Sequence, residues 1–178
     1  MPSSPVIETE RLLLRPPAPE DAESIFERYA CDAEVTRYLG WLRHTSIQDT
    51  RAFVGFSLAE WARWGVGPLI VFDKVNGTLV GASGLVMEAS DCAATGYVLA
   101  RDAWGKGYAT ESLHSMVALA AEFRVARLYA LCHVDHRASQ RVLEKCGFQR
   151  ESLLPRHSVF PNLSPEPLDV LSYARSPV

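Results

Sequence analysis

Residues 97 to 111 read Tyr97-Val98-Leu99-Ala100-Arg101-Asp102-Ala103-Trp104-Gly105-Lys106-Gly107-Tyr108-Ala109-Thr110-Glu111, an apolar run that passes through two glycines into a helical pattern. Beyond Gly107, the residues Leu113, Met116, Val117, Ala120 and Ala121 recur at the spacing of one buried helix face. A helix that starts directly after a glycine turn presents N–H groups with no intrahelical partner, and its dipole adds partial positive charge there. This predicts a pyrophosphate site made by the main chain. Gly105 and Gly107 permit unusual dihedrals and close backbone approach. A glycine pair after a strand serves an ordinary structural turn equally well. The P-loop spacing is absent, and the dinucleotide fingerprint GxGxxG fails because Thr110 occupies its third glycine position.

Upstream, Arg11 to Arg15 forms a short β-like run closed by Pro16, Pro17 and Pro19. Glu20 and Asp21 open a helix with Ile25, Phe26, Tyr29 and Ala30 on one side, and a second short helical stretch is expected over Glu34 to Leu39. Ser46 with Asp49 resembles a capping pair for a helix through about Trp64, although Asp reaches back less well than Glu. The runs Leu69 to Phe72 and Leu79 to Met87 flank Asn76-Gly77, a hairpin signal, and Thr95 to Ala100 adds a further antiparallel strand.

Downstream, Leu128 to Val134 is a strand, Ala138 to Cys146 a helix, and Gly147 its left-handed terminator. Phe148 to Leu154 and Leu168 to Tyr173 are closing strands, with the Pro-rich segment Pro155 to Pro167 expected as a loop. The order predicts an α/β (α+β) fold, a β-meander followed by a βαβα unit and a hairpin-like end.

Bulk properties narrow the classes. The 178 residues, 48% hydrophobic and 22% charged, supply one core, so a single domain over residues 1–178 is expected. A net charge of −3 offers no basic field for a phosphate backbone, which argues against nucleic acid as a partner. No run approaches a membrane span, and MPSSPVIETE lacks the charge and apolar stretch of a leader, so no membrane partner is expected. Cys31, Cys92, Cys132 and Cys146 are scattered with no zinc spacing; they read as reduced thiols of a cytoplasmic protein, with no metal.

Trp104-Gly105-Lys106-Gly107-Tyr108-Ala109 resembles the Gln/Arg-x-x-Gly-x-Gly/Ala pattern of the GCN5-related N-acetyltransferases, or GNAT superfamily, with Trp104 at its first position. The string WGKGYATE is similar to the branch of ribosomal-protein amino-terminal acetyltransferases. Glu10 to Arg15, Gly81 to Leu85, Gly96-Tyr97 and Leu143 to Phe148 stand in the order of that branch, so the resemblance covers nearly the whole chain. It implies a mixed, mostly antiparallel sheet with about four helices, whose two central strands, Thr95 to Ala100 and Leu128 to Val134, splay apart. Acetyl-CoA would insert at that opening as co-substrate. By the same resemblance Tyr97, Val98 and Leu99 would pair with its pantetheine arm, and main-chain amides from Trp104, Gly105, Lys106, Gly107, Tyr108, Ala109 and Thr110 would hold its phosphates.

The segment Cys132 to Ser139 resembles the family's Asn-x-x-Ser, with His136 in place of asparagine. Resemblance therefore makes His136 a pantetheine contact and Ser139 a catalytic donor to the departing sulfur. A serine in the first turn of a helix also commonly satisfies nothing more than backbone.

The general base is less clear. Relatives often carry a Glu on the strand before Gly96, where this chain has Ala94. Glu88 and His44 are the remaining candidates, each of a type that commonly sits in solvent or near a helix cap. Glu111 is expected to face the helix dipole, His114 the solvent, and Trp41, Trp61 and Trp64 either the acceptor cleft or the core. Three functions stay open: transfer to a protein or peptide amino terminus, transfer to a small amine such as a polyamine, amino acid or aminoglycoside, or a non-catalytic acyl-CoA module. Oligomeric state is also open, a homodimer included.

Overall fold

The computed structural model describes residues 6–176; residues 1–5 and 177–178 of the domain expected over 1–178 lie outside them. Among the described residues, eight strands form one sheet in the order β1-β2-β3-β4-β5-β6-β8-β7. They are β1 (Ile7–Glu8), β2 (Leu12–Arg15), β3 (Pro68–Asp73), β4 (Leu79–Ala89), β5 (Cys92–Leu99), β6 (Arg127–His133), β7 (Gln149–Val159) and β8 (Pro167–Arg175). Every pairing is antiparallel except β5 with β6. Four α-helices among the described residues accompany the sheet: α1 (Ala22–Ile25), which continues as a π-turn over Phe26–Ala30, α2 (Ile47–Trp64), α3 (Tyr108–Glu122) and α4 (Arg137–Lys145).

The β5–β6 pairing decides where the site lies. Only Cys92↔Arg127, Ala93↔Leu128 and Ala94↔Tyr129 are in register. Past Ala94, β5 stays with β4 as far as Leu99↔Gly81, while β6 stays with β8 as far as His133↔Val170. Each strand keeps its outer partner and loses its inner one, which is the expected splay. The inner edge of β5 beyond Thr95 is left with backbone polar groups that need another partner.

Helix α3 packs across the meander with Leu113, Met116, Val117 and Ala120 buried, as the periodicity requires. Full burial of a Leu or Met contributes about 1.5–3 kcal/mol each relative to exposure. Helix α4 ends where Gly147 takes φ 79°. There the Phe148 amide donates to the Leu143 carbonyl and the Gly147 amide to Glu144, a left-handed terminator as expected. Asp49 does reach back to the start of α2, accepting the amides of Thr45 and Ser46 at 2.9 and 3.0 Å.

Three expectations need correction. Glu34 to Leu39 is a series of turns: Asp32 accepts the amides of Glu34 and Val35 as a cap would, but the bonds that follow, Thr36 to Asp32, Arg37 to Glu34 and Leu39 to Thr36, do not make a consecutive helical ladder. The Pro155 to Pro167 segment is not wholly a loop: β7 runs through Pro155 to Val159. As an edge strand it tolerates a proline, and its register shifts between Leu154 and Ser158, with Arg156 at φ 47°. Strand β5 starts at Cys92, three residues earlier than expected.

Candidate active site

The glycine turn lies between a short 3-10 turn over Arg101–Ala103 and the start of α3. Gly105 and Gly107 adopt φ 74° and 81°, the left-handed region where side chains are strained. Among the described residues, none of the amides from Gly105 through Thr110 donates to a protein acceptor; the first to do so is Glu111, to the Gly107 carbonyl at 3.1 Å. Consecutive free amides at a helix N-terminus suit a pyrophosphate. The inner edge of β5 suits an arm that carries amide groups of its own.

A partly buried anchor holds this turn in shape. The Glu111 carboxylate accepts from Thr9 Oγ1 (2.5 Å), the Arg11 amide (2.9 Å) and Arg11 Nε (2.7 Å). Arg11 Nη1 donates to the Lys106 carbonyl at 2.8 Å, and its guanidinium lies 4.8 Å from the Tyr108 ring centroid. Burial would raise the Glu111 carboxyl, but the bonds from Thr9 and Arg11 outweigh it and hold it below the usual carboxylate range. Glu111 therefore anchors the β1–β2 turn while standing, as expected, in the first turn of α3 beside its dipole. Tyr108 directs its hydroxyl to Asp73 Oδ2 at 2.6 Å, which leaves the phosphate face to its amide alone. The Trp104 indole, 44% exposed, donates to the Leu99 carbonyl at 2.9 Å. That carbonyl is consequently engaged, in contrast to the expectation that it would be freed by the splay.

A cleft of about 460 Å³ opens in the splay. Tyr97, Val98, Cys132, His136 and Ser139 line it on the β5–β6–α4 side. Tyr97 and Ser139, 42 positions apart in the sequence, meet here: their hydroxyl oxygens are 2.8 Å apart, and the Tyr97 hydroxyl is 3.2 Å from the Ser139 carbonyl. Burial pushes the Tyr97 phenol well above its ordinary range, so it stays protonated and able to donate. Cys132, 3% exposed, has its thiol raised by burial despite the nearby Ser139 hydroxyl. His136 stacks on Tyr38 at 4.7 Å, and burial, helped by His133, pushes it below its ordinary value.

On the opposite side are Trp41, His44, Phe53 and Phe56. His44 Nδ1 is 2.8 Å from Thr50 Oγ1, and burial lowers its pKa against the pull of Asp49, so the ring is neutral at pH 7. Glu88 is not brought to this place. It sits at the closed end of the β4–β5 pair, is bonded by the Tyr129 hydroxyl and does not line the cleft, so it is set aside as a base. His114 is exposed. Of the three tryptophans considered, Trp41 lines the cleft, whereas Trp61 donates to the Pro68 carbonyl and Trp64 packs on the core. The Tyr97–Ser139 and Tyr38–His136 contacts join residues far apart in the chain, and no local spacing announces them.

Comparisons with known proteins agree with this geometry. The sequence pattern of an acetyltransferase (GNAT) domain matches residues 11–149. An uncharacterised N-acetyltransferase of Bacillus subtilis, YoaA, is 30% identical over 96% of this chain and 97% of its own. The crystal structure of a GNAT-family acetyltransferase from Bacillus anthracis superposes with a TM-score of 0.84 at 26% identity, covering 97% of this chain and 99% of that one. RimL, a ribosomal L7/L12 alpha-N-protein acetyltransferase solved with coenzyme A, shares the fold with a TM-score of 0.86 at 21% identity, covering 97% and 98%. With a splayed sheet, a free-amide turn at the head of α3 and a family pattern spanning both, the chain belongs to the GNAT family of acetyl-CoA-dependent acetyltransferases.

Proposed function

We propose that this enzyme transfers acetyl by direct attack of a primary amine, and that the amine is the amino terminus of a protein or peptide. The observation that carries the reading is the composition of the cleft: among the described residues no carboxylate lines it, and its titratable bases are His44, His133 and His136. Attack needs a neutral amine, and an α-amine titrates near 7.8 against about 10.4 for lysine. The difference is about 2.6 units, or about 3.5 kcal/mol of deprotonation to be supplied. A neutral imidazole such as His44, or water held by it, suffices for the first; a lysine needs a stronger base. RimL, by its name, acts on an α-amine.

Direct transfer is favoured over an acyl-enzyme because Cys132 is buried and its thiol is pushed up, which makes it a poor nucleophile. When bound, acetyl-CoA supplies the acetyl group on a thioester whose sulfur leaves. The chain's part is to bind phosphates with the amides of residues 105–110, the Trp104 amide expected to join them being engaged by the Arg101 carbonyl at 3.2 Å, to contact the pantetheine with Tyr97, Val98 and His136, and to hold a proton at Ser139 Oγ for the charge that develops on sulfur. Tyr97 is a positioning residue: its hydroxyl fixes the Ser139 hydroxyl. Four free cysteines fit a reducing, cytoplasmic setting, and no helix among the described residues is long and apolar enough to cross a membrane.

The pH profile tests the acceptor. With peptides bearing a free amino terminus, kcat/KM should rise with pH and level off at an ionisation of about 7 to 8. Peptides with a blocked amino terminus and an internal lysine should be poor acceptors. Efficient acetylation of those lysines would overturn the amino-terminal reading.

A further inference from the structure

The far wall of the cleft has a composition that the transfer chemistry does not require. Phe53 and Phe56 stand three residues apart on α2 and share a face, and Trp41 precedes them with its ring 4.9 Å from His44. Phe56 is 50% exposed at the mouth of this wall. Among the described residues, no Asp, Glu, Lys or Arg lines the cleft at all. A wall of this kind rewards apolar area and has no counter-charge to give.

We infer that the acceptor presents a large apolar or aromatic group beside its reacting amine, seated against Trp41, Phe53 and Phe56, and carries no second charge there. The inference rests on the amino-terminal reading above and names the kind of first residue it would take, such as Phe or Leu. The reacting amine sheds its own charge before attack, so an uncharged cleft is compatible with it. A lysine as first residue, or a polyamine, would bring a second ammonium into the cleft with no carboxylate to meet it. An aspartate would bring an anion with no cation to meet it. A serine would leave the aromatic wall wetted and unfilled. The opposite use of such rings is a cage for a cation held by their π faces; it would make a lysine first residue the preferred one, which the same measurement reads.

The test compares kcat/KM, followed by release of the CoA thiol, for peptides of one common tail beginning with Phe, Leu, Ser, Asp or Lys, together with 2-phenylethylamine. Phe and Leu should exceed Ser, Asp and Lys by about tenfold or more, since pocket fit of this kind discriminates by about 10- to 200-fold. Equal or better rates with Ser, Asp or Lys overturn the apolar seat while the amino-terminal reading stands. Turnover of 2-phenylethylamine with none of the peptides upholds the seat and overturns the amino-terminal reading. Phe56→Glu then places one carboxylate on the exposed part of the wall. It should lower the Phe-over-Lys preference by about tenfold or more, in line with that discrimination, with the Kd for acetyl-CoA unchanged. An unchanged preference in this variant overturns the placement.

Discussion

At the head of α3, binding capacity comes from main-chain amides of consecutive residues, Gly105 to Thr110, and side chains serve mainly to hold the turn in shape. At the acceptor wall the reverse holds: Trp41, Phe53 and Phe56 expose ring surface, and the backbone behind them is ordinary helix and turn. The first construction tolerates almost any side chain provided the dihedrals are kept. The second is defined by side chains and tolerates any backbone that carries them. A common co-substrate is suited to the first kind of site and a particular acceptor to the second.

Breaking the backbone should therefore cost most. Gly107→Pro demands φ near −65° where the turn has 81°, and it deletes one of the free amides. A Cβ at this position would also stand 3.3 Å from Arg11 Nη2, the nitrogen paired with Glu111. Acetyl-CoA affinity measured by calorimetry should fall by about two orders of magnitude or more, from a lost amide bond to charged phosphate plus distortion of its neighbours. Unchanged affinity in a folded variant would end the assignment of the turn.

The glycine turn was legible because its determinants are contiguous. A strand, two glycines and a 3.6-residue period suffice to place free amides, and the buried face Leu113, Met116, Val117, Ala120 was readable from the same stretch. Gly147 was readable for the same reason, as a local stop. The contacts that give the site its chemistry were not. Tyr97 reaches Ser139 across 42 positions, and Arg11 reaches Lys106 across 95, so only the folded sheet brings them together. Glu88 and His44 looked alike as isolated candidates, and the direction in which the splay opens separates them, with His44 on the cleft and Glu88 at the closed end. Pro155 misled because a proline inside a strand is unusual except at an edge, and which strand is the edge is a property of the whole sheet.

An intermediate effect is expected at Ser139. It lines the same cleft as the proposed acceptor wall, and its hydroxyl lies 2.8 Å from that of Tyr97. Ser139→Ala should lower kcat by about one to three orders of magnitude, the range for removing an oriented donor to developing charge. Acetyl-CoA affinity should change by less than about fivefold, because one neutral hydrogen bond contributes about 1 kcal/mol. Tyr97→Phe should act in the same direction and less strongly, and adding it to Ser139→Ala should do little more, since the tyrosine works through the serine. Turnover within twofold of the unmodified enzyme, with chemistry rate-limiting, would make Ser139 structural. His136→Ala sets the opposite pattern, with a larger change in affinity than in kcat, and a reversal of the two patterns would exchange their roles.

The smallest effect should come from Lys106→Ala, which sharpens the comparison because it removes the only cationic side chain within the turn while sparing its backbone. Lys106 is exposed, and what its neighbours use is its carbonyl, the acceptor for Arg11 Nη1 at 2.8 Å. Alanine retains that carbonyl and the amide, and the positions that require left-handed dihedrals, Gly105 and Gly107, are untouched. What is lost is one solvated charge near the phosphates, and exposed charges of this kind contribute about 0.2–1 kcal/mol. Affinity for acetyl-CoA should drop by no more than about fivefold, and the difference should shrink further as salt is raised from about 0.05 to 0.5 M, where screening shortens the reach of the charge. The variant at Gly107 should show no such recovery, because a missing amide and a wrong dihedral are indifferent to ionic strength. A loss at Lys106 as large as that at Gly107, persisting in high salt, would mean that the phosphate site depends on its side chain as much as on its main chain, and the contrast between the two ends of the cleft would fail.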